Sequence, residues 1–161
     1  MSQVVEHEKP ASPRLAHYTA EYQRAIAQGL SQPRWVAHAR DSAIRQFGRL
    51  GFPTTTLEQW RFTSVAPIAE RTFALASDGA ARADSTQTAA LSAPVAHAVC
   101  VNGRFAPARS SLSTLPKGVQ VLGLEATLAS NPGLVEPYLG KLSVTQTNAF
   151  ASLNTAFLRD G

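Results

Sequence analysis

A chain of 161 residues with 44% hydrophobic and 16% charged side chains has the balance of a soluble globular protein, long enough for one domain or a domain with an appendage. Its formal charge of +4, from 15 Lys and Arg against 11 Asp and Glu, is too mild for a nucleic-acid-binding arm. No apolar run approaches the roughly 20 residues that span a bilayer, and a single cysteine, Cys100, excludes an intrachain disulfide and points to a reducing cytoplasm.

Residues 1–11 read as a disordered lead-in. Met1 to Pro10 is polar and carries Glu6 and Glu8, unlike a signal or basic transit peptide. Residues 12–73 read as a helical hairpin followed by an aromatic junction. Ser12-Pro13 is a start signal, a hydroxyl cap before Pro at the first helical position. Leu15, Tyr18, Tyr22, Ile26 and Leu30 then recur as one apolar stripe. Ser31-Gln32-Pro33 repeats the start signal, and Trp35, Ala39, Ala43, Phe47 and Leu50 form the stripe of a second helix. So short a link predicts that the helices pack as a hairpin. Gly51 suits the left-handed conformation that ends a helix, and Pro53 cannot continue one. If Trp60-Arg61-Phe62 is extended, both rings face one side. Trp60 is then a buried anchor, and Trp60→Ala is expected to cost roughly 3–5 kcal/mol.

A short helical stretch is predicted near Pro67 to Arg71. Residues 74–96, rich in Ala, Ser, Thr, Asp and Gly, read as a flexible linker. Residues 97–161 read as a small antiparallel sheet with covering helices. Val99-Cys100-Val101-Asn102-Gly103-Arg104-Phe105 places Asn-Gly between apolar runs, the strongest short-range hairpin signal. Gly118 to Leu124 alternates as a third strand. Glu125 to Ser130 looks helical, Asn131-Pro132-Gly133 breaks it, and Leu134 to Leu139 adds a helical turn or two closed by Gly140. Asn148 caps a last helix with an apolar stripe of Ala149, Phe150, Leu153, Ala156 and Phe157.

Motifs that carry chemistry are missing. His7, His17, His38 and His97 have no metal-ligand spacing and read as structural residues. No phosphate-cradling glycine loop and no Gly-x-Ser-x-Gly occurs. Glu58 before Trp60 lacks a second acid or base and reads as a local ion pair with Arg61 or a bond to an amide. Cys100, between Val99 and Val101, reads as a small buried hydrophobe; a sulfur-accepting thiol needs exposure and a positive neighbour, for which Arg104 is the one candidate. Arg34, His38, Asp41, Arg45 and Arg49, with Arg40 nearby, line a face of the helix at 33–50. Without an interleaved stacking aromatic, and interrupted by Asp41, this face reads as solvated, with guanidinium stems covering apolar surface. The alternative is a small basic module that binds nucleic acid through those arginines. Catalytic, cofactor-binding and metal-ligating residues are therefore expected to be none.

The order helix, Gly51-Phe52-Pro53, then Glu58-Gln59-Trp60-Arg61-Phe62-Thr63 resembles the N-terminal region of SufD, a scaffold subunit of iron–sulfur cluster assembly. Val99 to Phe105 resembles the family's Val-x-Val-Asn-Gly-x-Phe hairpin, and Gly118 to Leu122 its next segment. Glu136-Pro137-Tyr138-Leu139-Gly140 resembles its Glu-x-Tyr-Leu-Gly step, and Asn148 to Phe157 with Asp160-Gly161 the helix that leads into its core. Glu58-x-Trp60-Arg61-Phe62-Thr63 and Leu153-Asn154-Thr155-Ala156 favour SufD over the paralogous SufB. The resemblance implies a mostly helical α+β N-terminal domain, truncated before a parallel β-helix. It implies a non-catalytic part of a scaffold that partners a SufB-like paralog and a SufC-like ATPase in the cytoplasm. The parent complex would assemble the clusters and use ATP, with no cofactor in this chain. It also leaves the last apolar stripe without its β-helix, so self-association or fraying from Asn148 onward is expected.

Overall fold

The computed structural model describes residues 13–28, 33–76, 96–113, 115–143 and 147–160. The predicted lead-in, Ser12, Leu30, Ser31 and linker residues 77–95 lie outside them, as does His7. The fold is α+β and mostly helical, with one small antiparallel sheet.

Helix α1 runs Pro13–Ala27, with Pro13 at its first position as predicted. Helix α2 runs Arg34–Leu50. Pro33 stands one residue earlier than expected, at the capping position with ψ 143°. From there its carbonyl accepts from the amides of Val36 and Ala37 at 2.9 and 3.2 Å. Gly51 ends α2 with φ 64° and ψ −178°, a region open essentially only to glycine, while its N–H donates to the Phe47 carbonyl at 2.8 Å.

The hairpin forms, but α2 lies chiefly against the last helix, α5 (Ala149–Ala156). That contact rotates the buried stripes. On α2 the buried side chains are Val36, Arg40, Ala43, Ile44 and Phe47, while Leu50 of the predicted stripe is exposed. On α1, Tyr18, Glu21, Tyr22 and Ala25 are buried and Ile26 is turned outward. The core joins Tyr18 and Tyr22 of α1, Ala43, Ile44 and Phe47 of α2, and Ala149 and Ala156 of α5.

Helix α5 meets α2 through its small residues. Ala149, Ser152 and Ala156 are buried, and short side chains let helix axes approach closely. Phe150, Leu153 and Phe157 sit half-buried on the flanks. Phe150 packs against Phe52 and Trp60, and Phe157 stands edge-on to Tyr22. α2 and the aromatic junction thus cover part of the terminal stripe, while its three large members stay half-buried. Asn148 caps α5 as predicted, its Oδ1 accepting from the Ala151 amide at 3.0 Å.

The junction after Gly51 is not extended. A single 3-10 turn at Glu58–Trp60 separates the two rings. Trp60 is half-buried, its ring 5.5 Å from that of Phe150, whereas Phe62 is 92% exposed. The buried-anchor reading is therefore weakened. Trp60→Ala is expected to cost about 1–2 kcal/mol, below the full cost for a large core aromatic; urea unfolding checks it. Helix α3, Ala66–Ala69, follows where a short stretch was predicted.

The Asn-Gly hairpin is present. Strand β1, Cys100–Val101, pairs antiparallel with β2, Arg104–Phe105, with Cys100 opposite Phe105 and Val101 opposite Arg104. Asn102 at φ 53° and Gly103 at φ 74° supply the two positive φ values that the tight turn requires. The third strand predicted at Gly118–Leu124 does not form, and the sheet has two strands among the described residues. Gly118 is instead in a turn at φ 88°, with the Val119 amide bonded to the Pro116 carbonyl at 3.0 Å. The chain then enters α4, Leu124–Ser130. Beyond it the predicted helical turns are a 3-10 turn at Pro132–Leu134 and further turns ending at Gly140, φ 76°.

Candidate functional site

The side chains that converge most closely lie where β2, α4 and the terminal residues meet. Cys100 and Phe105 are an opposed pair that exchange no ladder bonds, as the 2.8 Å bond from the Ala106 amide to the Val99 carbonyl one step on requires. The Phe105 amide therefore points outward from the hairpin. Asp160 fills that edge: its Oδ2 accepts from the Phe105 amide at 2.6 Å, and its Oδ1 from the Glu125 amide at 3.0 Å. The second bond caps α4, where a negative charge is favoured by the exposed N–H groups of the first turn. Gly123 leaves room for it, since a Cβ there would crowd the two carboxylate oxygens at 3.0 and 3.3 Å and the Cβ of Phe105 at 3.3 Å.

Glu125 adds charge to the junction. Its Oε2 accepts from Arg159 Nε at 3.2 Å and lies 4.0 Å from an Arg104 nitrogen. One carboxylate bridges the amides of Phe105 and Glu125 and the other faces two guanidinium groups, so this cluster holds three segments together. Asp160 entered the sequence reading only as part of the terminal match, and its role rests on contacts 55 and 35 residues away. No periodicity records such distances.

The arginine face of α2 divides. Arg34, His38, Asp41, Arg45 and Arg49 are exposed, in line with a solvated face. Arg40 departs from it and is buried, 1% exposed. Its register places it with Val36 and Phe47 on the stripe that α5 covers. Asp41 belongs to the helix packing, since its Oδ1 accepts the Tyr22 hydroxyl at 2.5 Å.

Burial, and then the bond to Asp41, push the Tyr22 phenol well above its ordinary value of 10.0. Burial raises Tyr18 as well. A folded-state value above the unfolded one leaves stability intact below pH 10 and removes it at higher pH, because the unfolded chain releases these protons first. The chain is expected to lose stability as pH rises past about 10, and Tyr22→Phe to flatten that slope; urea midpoints between pH 8 and 11 measure it.

The other candidates stay apart. Cys100 is exposed, which corrects its reading as a buried hydrophobe: in so short a strand only the alternate position, Val101, turns inward. The His97 backbone bridges Ser111. His17 Nε2 lies 2.7 Å from the Phe73 carbonyl and ties α1 to the segment after α3. Glu58 lies 3.9 Å from Arg61, both exposed, as the sequence suggested. Among the described residues no group of three or more His, Cys, Asp and Glu is placed to hold a metal ion. No described helix is long and apolar enough to cross a membrane.

A family model described as the SufBD protein N-terminal region matches residues 14–161. No curated protein and no solved structure matches the chain.

Proposed function

Since the chain belongs to the SufBD N-terminal family, we propose that it is the N-terminal part of a SufD-like scaffold subunit of the iron–sulfur cluster assembly machinery. The observation that carries this reading is the match from residue 14 to residue 161, which reaches every element described. The preference for SufD over SufB rests on Glu58-x-Trp60-Arg61-Phe62-Thr63 and Leu153-Asn154-Thr155-Ala156. The proposed partners are a SufB-like paralog and a SufC-like ATPase, in the cytoplasm.

In this reading the domain is non-catalytic and its carboxylates serve structure. Asp160 accepts from two amides and Glu125 faces Arg159, which suits a rigid module that positions a neighbour. Coexpression of the parent reading frame with SufB-like, SufC-like and SufD-like subunits tests the assignment. A complex with the SufB-like and SufC-like subunits supports it; one that forms only with the SufD-like subunit reverses it in favour of SufB. The 161-residue chain alone is expected to retain no cluster after anaerobic incubation with iron and sulfide and then desalting. Stoichiometric charge-transfer absorbance would show that it takes part in the chemistry directly.

A further inference from the structure

Four polar or charged side chains are buried among the described residues, and three have partners. Glu21 is paired with Arg24. The Thr127 hydroxyl donates to the Gly123 carbonyl at 2.7 Å, and the Ser152 hydroxyl to the Asn148 carbonyl at 3.0 Å. Arg40 is the exception: its Nε and Nη2 are buried and no group accepts from either.

Those two nitrogens form the side-on edge of the guanidinium, two parallel N–H donors that suit a carboxylate or one small anion. The charges within reach of Arg40 do not supply it. The Tyr22 phenol, the first of them, donates its hydroxyl to Asp41; Arg159 has its own sign, and Glu125 is already engaged by Arg159 at 3.2 Å. Burial alone already disfavours the charged form of Arg40. A desolvated guanidinium without a counter-charge is among the costliest groups to bury. Buried polar atoms that lack a protein partner point to a bound water or ion, and water fills the donors without neutralising the charge.

We propose that the side-on edge of Arg40, beneath α5 and near Arg159, is a binding site for a small monovalent anion, a halide or a free carboxylate. The site is independent of the scaffold assignment. It makes the packing of α2 on α5 depend on anions, because an ion that binds only the folded chain stabilises it further as its concentration rises above its dissociation constant.

The test is thermal unfolding of the 161-residue chain in chloride, in acetate and in gluconate, the last too bulky for a buried site, at equal ionic strength. The expected result is a rise in Tm of several degrees in chloride or acetate over gluconate, growing with the logarithm of the anion concentration once the site fills; the larger rise distinguishes halide from carboxylate. R40M is expected to lose the rise while remaining folded, because an apolar side chain replaces the buried charge. R49M, at an exposed arginine, is expected to keep it. Equal Tm in all three salts, or an undiminished rise in R40M, overturns the site. If R40M does not fold, the wild-type comparison decides alone.

Discussion

Phe47→Ala is expected to lower stability by about 3–5 kcal/mol, the largest effect of any single truncation in this domain. Phe47 is 1% exposed at the point where the helices and the junction meet. Its ring stands edge-on to Tyr18 at 5.6 Å and to Phe52 at 5.2 Å. Phe52 in turn touches Tyr18 and Phe150, so the four rings link α1, α2, the residues after Gly51 and α5. Such edge-to-face pairs add to the area each ring buries. Truncation removes the most buried ring of the four and leaves a cavity where the helices meet. Urea denaturation of both proteins measures the difference. Phe47→Leu, which keeps most of the volume, is expected to lose about 1.5 kcal/mol or less. A loss below about 2 kcal/mol for the alanine variant would mean that the helices repack around the gap, and that the ring cluster is not what fixes their arrangement.

Much of this framework is legible in the residues themselves. Pro13, Gly51, Asn102-Gly103, Gly140 and Asn148 mark boundaries because each carries a local constraint, a fixed φ, a positive φ or a side-chain cap, that operates without tertiary context. What the sequence conceals is the partner of each helix. Period alone gives α2 a stripe through Trp35 and Leu50, whereas the observed stripe runs through Val36 and Arg40. The difference is set by α5, more than a hundred residues later, whose narrow face of Ala149, Ser152 and Ala156 is less hydrophobic by composition than its flanks. The apolar stripe of α5 already includes Ala149 and Ala156; packing adds Ser152 to the buried face and leaves Phe150, Leu153 and Phe157 half-buried on its flanks. The same blindness applies to Gly118–Leu124, whose alternation is strand-like although it adds no strand to the sheet, and Asp160, not a third strand, accepts from the outward amide of Phe105.

That occupancy leads to the second large effect. Asp160→Ala is expected to destabilise the chain by about 2–4 kcal/mol, because it leaves two backbone amides without their charged acceptor. One is the outward N–H of Phe105 in β2, the other the Glu125 N–H in the first turn of α4. Both sites are only partly buried, so water recovers some of the loss, and the expected value lies below the sum of two fully desolvated bonds. Asn at 160 keeps one neutral acceptor and is expected to restore about half of the loss. Gly123→Ala attacks the same contact from the other side, since its Cβ would meet the Asp160 oxygens at 3.0 and 3.3 Å and push the carboxylate off its amides. If Asp160 is the clasp, each variant should speed hydrogen exchange at the Phe105 and Glu125 amides together, although those residues belong to different elements, while the amides of α2 change only with global stability. Exchange that accelerates at one amide and not the other would split the clasp into two unrelated bonds. A stability loss below about 1 kcal/mol for Asp160→Ala would show that the hairpin and α4 hold their places without it.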